Sequence, residues 1–280
     1  MPVPVVTNYL LAMLPEDERS DVLSHCDEVT LVFGETLAEP GEAYHHVYFP
    51  LRGFISLITV MDGKPVLETA LVGAEGMLGA TLALGVGSAH ARAVVQGAGS
   101  ALRMEASVFS ELLVNSPALR QMVMHYLHVM IEQLAQTSAC TRFHVVESRL
   151  ARWLLMTRDR AQSDTFDITH QFLASMLGVR RVGVTGAAGD MQRAGLIHYR
   201  RGHLRILDQP RLETTACCCY ASDGEVYDRI MSTRPGPRKA TKPQRTRSKK
   251  AEHEDHEADE EHEGEINPVL IPVWKLKTSN

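Results

Sequence analysis

Arginines cluster at two points in the C-terminal half of this 280-residue chain, and their type predicts an anionic partner. Arg180 and Arg181 follow Gly178, and the run Arg200-Arg201-Gly202-His203 comes further along the chain. A guanidinium group offers five N–H donors in a planar fork, which fits a phosphate group or the O6 and N7 edge of guanine. Both clusters therefore have the chemistry for binding a nucleic acid.

The residues around these arginines predict the elements that position them. Four apolar residues recur at helical spacing, namely Phe172, Leu173, Met176 and Leu177. Gly178 ends that helix, and the two arginines open a second one. The apolar runs Leu196 to Tyr199 and Leu204 to Leu207 flank the cationic tip as a hairpin. This pattern predicts a winged helix-turn-helix, whose second helix enters the major groove of duplex DNA.

Charge divides the chain in the same place. Residues 1–141 contain 6 Lys and Arg against 15 Asp and Glu, whereas residues 142–211 contain 12 against 6. A basic region beside an acidic one is typical of a DNA-binding module joined to a domain that avoids DNA. No Walker loop and no Gly-x-Ser-x-Gly elbow occurs in the sequence, so we predict no catalytic residue and no enzyme.

The N-terminal half has a different periodicity. Asn8 to Ser24 predicts an amphipathic helical segment that is interrupted at Pro15. Short β-prone runs follow between glycine-containing turns: Thr30 to Phe33, His46 to Phe49, Phe54 to Val60, Val66 to Leu71, Arg92 to Gln96 and Ser100 to Met104. Such a series predicts an antiparallel jelly roll.

Ser116-Pro117 predicts the start of a long helix. Its apolar stripe consists of Val123, Leu127, Met130 and Leu134. Such a stripe is either core packing or a coiled-coil seam. Because the opposite side is apolar as well, we expect the helix to pack against its own roll and against a second copy. A further helix, Val145 to Arg160, should support the helix-turn-helix.

Five cysteines, at Cys26, Cys140 and Cys217 to Cys219, form no Cys-x-x-Cys pair and are odd in number. This argues against a disulfide framework and against a zinc site, so we predict no metal. The adjacent triplet leaves open a soft-metal or oxidant-sensing role, beside the alternative of ordinary thiols.

Three further segments predict where the protein is located and which part of it is disordered. Met1 to Thr7 lacks the cationic region of a secretory signal, so we expect a cytoplasmic protein. The charge-free run Gly76 to Ala91 is shorter than the roughly 18 residues of a membrane helix, and no membrane span is predicted. Residues 229–280 are rich first in Pro, Lys and Arg and then in Glu, which predicts a disordered charged tail.

From Asn8 to Leu212 the order of elements resembles the Crp/Fnr family of bacterial transcription regulators. The roll contributes Gly34-Glu35-Thr36-Leu37, Pro40-Gly41-Glu42 and Tyr48 to Gly53. The C-terminal part contributes Glu147 to Leu155, Ile168-Thr169, Gln171, Leu177 to Arg181 and Gln192 to Ile197. The resemblance implies an α+β chain with a cyclic-nucleotide-binding-like β-roll at 1–115, a dimerisation helix at 116–144 and a winged helix-turn-helix at 145–212.

The resemblance also implies function. It predicts a homodimer on a near-palindromic promoter site, with RNA polymerase as a further partner. Arg181 would read a base, and the other predicted DNA contacts are Thr169, Gln171, Arg180, Thr185, Arg200, Arg201 and His203. Val182 stands where many members carry a glutamate, so base preference should differ.

The effector pocket departs from the family pattern. The corresponding residues are Gly79, Thr81, His90 and Arg92. No carboxylate follows Gly79, and Ala89-His90 replaces the phosphate-binding pair, so a cyclic nucleotide is possible but its motif is not matched. The lack of clustered N-terminal cysteines argues against an iron–sulfur sensor, and we expect no cofactor. The alternative is an effector-independent regulator with a vestigial sensor.

Overall fold

A computed structural model describes residues 8–62 and 64–232. Two short helices, α1 (Tyr9–Ala12) and α2 (Glu16–Ser24), come first, with Pro15 at the N-cap of α2. The roll consists of β1 (Asp27–Leu31), β2 (Thr36–Ala38), β3 (His46–Met61), β4 (Lys64–Val72), a 3-10 helix (Ala80–Leu84) and β5 (Arg92–Glu105). Its antiparallel sheet has the order β1-β5-β3-β4, and β2 also pairs with β5. The predicted β-roll is confirmed.

Two of the roll's strands are longer than predicted. The runs His46 to Phe49 and Phe54 to Val60 form the single strand β3. The runs Arg92 to Gln96 and Ser100 to Met104 likewise merge into β5. Their ladder passes through irregularities between Pro50 and Ile55. Gly53 lies there with φ of +77°, and a Cβ on it would come within 2.2 Å of the Gly97 carbonyl oxygen. Glycine is therefore needed where the two strands approach most closely.

Helices connect the roll to the C-terminal domain. After α3 (Ala106–Asn115), the long helix α4 (Pro117–Phe143) begins where Ser116 accepts a hydrogen bond from the Leu119 amide at 3.2 Å. One side of α4 packs on the roll through the buried residues Leu119, Met122, Val123, Tyr126 and Leu127. Helix α5 (Val146–Ala161) follows after a break at His144 and Val145.

The winged helix-turn-helix comprises β6 (Thr165–Asp167), α6 (His170–Leu177), α7 (Arg181–Arg193), β7 (Ile197–Arg200) and β8 (His203–Ile206). Its three strands have the order β6-β8-β7. The helices and the hairpin agree with the sequence pattern. Leu150, Leu154, Leu173, Val184 and Met191 are fully buried between α5, α6 and α7, which fixes the angle of the helix pair.

Two further helices, α8 (Gln209–Thr215) and α9 (Cys219–Met231), were not predicted. Helix α9 packs against α4, and a buried ion pair of 2.6 Å joins its Asp223 to Arg152 of α5. It continues to Met231, past residue 229, where the predicted tail begins. The rest of that tail and residues 1–7 lie outside the described residues. Among the helices described, none has both the length and the apolar character that crossing a bilayer requires.

Candidate nucleic-acid interface

Helix α6 is capped at both ends by residues that the sequence motif contains. The Thr169 hydroxyl accepts a hydrogen bond from the Phe172 amide at 3.1 Å, and Gly178 ends the helix with φ of +61°. Only a residue that tolerates a left-handed conformation gives such a tight turn into the next helix. Thr169 and Gln171 are both exposed at this end of α6, on the domain surface where α7 also begins.

The start of α7 carries uncompensated positive charge. Arg180 is the N-cap, Arg181 is the first helical residue, and no acidic residue lies in the first turn. Both side chains are exposed, and neither makes an ion pair with another described residue. Cations at the positive end of a helix dipole are unfavourable in isolation, whereas a phosphate there is favourable. This end of α7 is therefore suited to a polyanion.

Thr185 lies one turn into α7 and is held in place. Its hydroxyl donates to the Arg181 carbonyl oxygen at 3.0 Å and lies 3.0 Å from His170 Nδ1. The His170 ring stacks on Tyr199 of β7 with centroids 4.4 Å apart. Burial, and then the charge of Arg181, lower the pKa of His170 below its ordinary value, which favours the neutral ring. His170 and Tyr199, which sequence reasoning missed, thus join the two helices to the wing.

The wing turns through Arg201 and Gly202, whose φ angles are +53° and +89°. Two consecutive positive φ values are those of a type I′ turn, which suits the twist of a two-residue hairpin. Arg200, Arg201 and His203 are exposed around this turn. His203 Nδ1 is hydrogen-bonded to Asp167 of β6, the third strand that the sequence did not predict. Asp167 thus holds the His203 ring, whereas the two arginines are free of ion pairs with described residues.

The exposed face of α7 includes an apolar residue and a glycine. Val182 is 77% exposed, and Gly186 is exposed beside Thr185. A Cβ on Gly186 would meet nothing within 4 Å, so the fold of the protomer does not require glycine there. The absence of a side chain at Gly186 allows the backbone to approach a surface closely at that point.

The predicted effector residues are not arranged as an open anion site. Arg92 Nε forms an ion pair of 2.9 Å with Glu39, so its charge is already compensated. Gly79 has φ of +91°, and the Val47 side chain fills the space beside it, 2.8 Å from the position of a Cβ. Thr81 is half-buried with no hydrogen-bond partner for its hydroxyl within the described chain, and His90 is exposed.

The predicted dimer stripe divides between two surfaces. Val123 is fully buried and Leu127 is 8% exposed, because both face the protomer's own core, and Met130 is half-buried. Leu134 is exposed, together with Met124 and Ile131. Of the apolar side chains that α4 presents to solvent, Met124 and Ile131 follow directly after predicted residues, and Leu134 belongs to the predicted stripe.

Two acidic residues, the buried Glu68 and the half-buried Glu75, connect the roll to the helix-turn-helix domain. Glu68 of β4 accepts a hydrogen bond from Trp153 Nε1 of α5 at 2.7 Å and lies 2.6 Å from the Ser56 hydroxyl. Burial raises the pKa of Glu68 to about 7, although both hydrogen bonds oppose the shift. Glu75, which precedes the 3-10 helix, forms a 2.7 Å ion pair with Arg160 of α5. Both contacts join the two domains directly.

Comparisons agree with this architecture. The profile of the Crp-like helix-turn-helix domain matches residues 148–215. No curated protein matches the chain in sequence.

Solved structures share the fold across most of their length. A putative Crp/Fnr family regulator from Eubacterium rectale is 16% identical, with a TM-score of 0.56 over 74% of this chain and 96% of its own. The c-di-GMP responsive global regulator CLP of Xanthomonas campestris is 14% identical, with a TM-score of 0.57 over 69% of this chain and 100% of its own. FixK2 of Bradyrhizobium japonicum is 12% identical, with a TM-score of 0.57 over 69% and 98%.

The capped helix pair, the cationic start of α7 and the wing thus coincide with the matched profile. Residues 148–215 are a Crp-like helix-turn-helix domain, and about 70% of the chain shares the fold of solved Crp/Fnr-type regulators.

Proposed function

We propose that this protein is a cytoplasmic transcription regulator that binds a near-palindromic DNA site as a homodimer. The single observation that carries the proposal is the pair of exposed, unneutralised arginines at the positive end of α7, in a domain of the Crp-like type. Recruitment of RNA polymerase is the further contact that such a regulator makes. No catalytic role is proposed for any residue.

In the proposed complex α7 enters the major groove. Arg181 forms a bidentate pair with guanine O6 and N7, which contributes about 1 to 3 kcal/mol of discrimination between bases. Arg180, Thr169 and Gln171 contact phosphates beside it, and Thr185 faces the groove from the next turn. Arg200, Arg201 and His203 of the wing contact the backbone, which adds affinity without sequence preference.

The proposed dimer seam lies along the exposed stripe of α4. Met124, Ile131 and Leu134 are 41%, 61% and 38% exposed, and they have the spacing of a coiled-coil seam. Pairing of two such helices about a two-fold axis would set two α7 helices about 34 Å apart, which is one turn of B-form DNA. Val123 and Leu127 then support the seam from within each protomer.

For the roll we propose a sensor whose ligand is not a standard cyclic nucleotide. The ion pair of Arg92 with Glu39 and the Val47 side chain beside Gly79 both disfavour a cyclic phosphate there. The same two observations favour the second candidate, a regulator whose roll binds no effector at all. Gel-shift titration with and without candidate effectors separates these two.

Selection from random duplexes tests the DNA-binding proposal. The purified protein should enrich an inverted repeat whose half-site centres are about 10 to 10.5 base pairs apart. Arg181→Ala should then relax preference at one base pair in each half-site, whereas Arg201→Ala should weaken all sequences alike. Recovery of no common sequence, or equal losses on specific and random DNA for Arg181→Ala, would contradict the proposed reading of bases.

A further inference from the structure

Three cysteines and one histidine meet at the C-terminal end of α4. Cys140 and His144 lie one helical turn apart on α4, and Cys217 and Cys219 come from the segment that leads into α9. The four possible ligand atoms all lie within 4.8 Å of one another. Cys140 is 2% exposed, Cys217 is 8% and Cys219 is 0%.

Two of the distances between these atoms match those of a metal tetrahedron. Zn–S bonds of about 2.3 Å and Zn–N bonds of about 2.0 to 2.1 Å place two sulfurs about 3.8 Å apart and a sulfur and a nitrogen about 3.6 Å apart. The observed Cys140 Sγ to Cys217 Sγ distance is 3.6 Å, and Cys219 Sγ lies 3.5 Å from His144 Nδ1. A disulfide would require about 2.05 Å between sulfurs, so the observed pair is not bonded.

The surroundings supply donors to the sulfurs. Gln136 Nε2 donates to Cys219 Sγ at 2.8 Å. The guanidinium of Arg152 is buried beside the cluster, and its Nε has no hydrogen-bond partner among the described residues. Donors of this kind are the usual outer shell of a thiolate–metal site.

We propose that Cys140, His144, Cys217 and Cys219 bind one Zn²⁺ ion in a closed Cys₃His tetrahedron. The three thiols release their protons to solvent on binding, and His144 binds through neutral Nδ1. All four positions are occupied by protein ligands, so the ion has a structural role. It would tie the end of α4 to the start of α9, beside the break between α4 and α5.

This position has a consequence that depends on the proposed function. His144 is the C-cap of α4, and Val145 is the N-cap of α5, so the metal would fix the joint between the dimer helix and the DNA-binding domain. Loss of zinc should then weaken specific DNA binding. The metal site itself does not depend on DNA binding, and it is tested separately.

The first test is the zinc content of the untagged full chain, measured by mass spectrometry of the metal after purification without chelators. The wild type should contain one zinc per protomer. Cys217→Ser should lose it, whereas Cys218→Ser, a matched change at the exposed neighbouring cysteine, should retain it. Both variants keep His253, His256 and His262, so zinc bound by those histidines would cancel in the comparison.

The second test uses His144, which is only half-buried and whose replacement should leave the core intact. His144→Ala should lower zinc affinity by more than about 10-fold, since even outer-shell partners change metal affinity by about 10- to 100-fold. His144→Cys should restore binding as a Cys₄ site. With Co²⁺ in place of zinc, the His144→Cys variant should show a stronger thiolate-to-metal charge-transfer band than the wild type, because it has four thiolate ligands instead of three.

Three results would overturn the proposal. They are wild-type protein without stoichiometric zinc, equal zinc in Cys217→Ser and Cys218→Ser, and a Cys140–Cys217 disulfide in protein purified without air. If the protein binds zinc as expected but does not bind duplex DNA, the metal site is supported and the proposed function is contradicted.

Discussion

Four arginines of the helix-turn-helix domain and two arginines of the β-roll differ in whether an acidic side chain neutralises them. In the roll, Arg92 pairs with Glu39 at 2.9 Å and Arg103 lies 3.8 Å from Asp27. In the helix-turn-helix, Arg180, Arg181, Arg200 and Arg201 are exposed and have no such partner among the described residues. Charges that a fold leaves unneutralised are available to a ligand, whereas paired charges would first have to be separated. The comparison favours anion binding at these four arginines of the C-terminal domain and argues against it at Arg92 of the predicted effector pocket.

The largest expected effect concerns the proposed α4 seam, which in the proposed dimer would bring two cationic domains together. Ile131→Glu should shift the protein from dimer to monomer, because a buried unpaired carboxylate at the seam costs about 3 to 5 kcal/mol. Sedimentation velocity measures the shift. Val114→Glu is the matched control, since Val114 is 80% exposed at the end of α3 and is not part of the proposed seam. Equal behaviour of the two variants would refute the seam.

The next effect separates base reading from phosphate binding. Arg181→Ala should weaken binding to the selected site by about 1 to 3 kcal/mol and change random DNA much less. Arg92→Ala in the roll should leave DNA affinity unchanged, because its charge is already paired with Glu39. Fluorescence anisotropy on both duplexes measures the contrast. A loss in Arg92→Ala as large as that in Arg181→Ala would break the comparison between the domains.

We expect the free energy of unfolding to depend on pH through Glu68, which lies where the roll contacts α5. Burial raises the pKa of Glu68 from 4.5 to about 7, so folding favours the protonated form. Its stabilising contribution is fully present below pH 4.5 and is lost as the pH rises through about 7.

Glu68→Gln keeps one acceptor oxygen for Trp153 Nε1, and its amide N–H can donate to the Ser56 hydroxyl, but the substitution removes this titration. Relative to the wild type, its free energy of unfolding should therefore rise by about 1 to 3 kcal/mol between pH 5 and pH 8, since one pKa unit corresponds to about 1.4 kcal/mol. Denaturant titrations at the two pH values measure the difference. A constant difference would show that Glu68 does not titrate in this range.

The smallest expected effects are the changes in stability caused by alanine at two glycines, one in each domain. Gly186→Ala should stabilise the domain by up to about 1 kcal/mol, because alanine favours a helix and the site has open space. Gly53→Ala should destabilise the roll, because its Cβ would lie 2.2 Å from the Gly97 carbonyl oxygen. Thermal denaturation measures both. If Gly186→Ala is stable yet binds DNA less well, glycine at this position serves close approach to DNA.

Local signals account for what the sequence predicted well. Ser116, Thr169 and Gly178 act on backbone groups within four residues, so helix starts and ends could be predicted from them. Long-range pairing could not. Strand β6 has only three residues and is defined by its pairing with β8, and the strands β3 and β5 bend where distant glycines meet.

The same difference between local and long-range contacts explains how much of the candidate site could be predicted from the sequence. The arginines of α7 and the wing lie close in sequence to the elements that hold them, so their exposure could be anticipated. The cysteine–histidine cluster joins residues 140 and 144 to residues 217 and 219, which no local spacing brings together. Of the predicted dimer stripe, Val123 and Leu127 are covered by the protomer's own core, which the periodicity of one helix could not reveal, whereas Leu134 is exposed.

The most direct test of DNA recognition by the paired α7 helices is the affinity of the purified protein for its selected duplex, measured at several salt concentrations. We predict a dimer that binds this duplex at least about 10³-fold more tightly than a scrambled one. The logarithm of the affinity should fall linearly with the logarithm of salt concentration. A monomer with no salt-dependent attraction to either duplex would contradict the account.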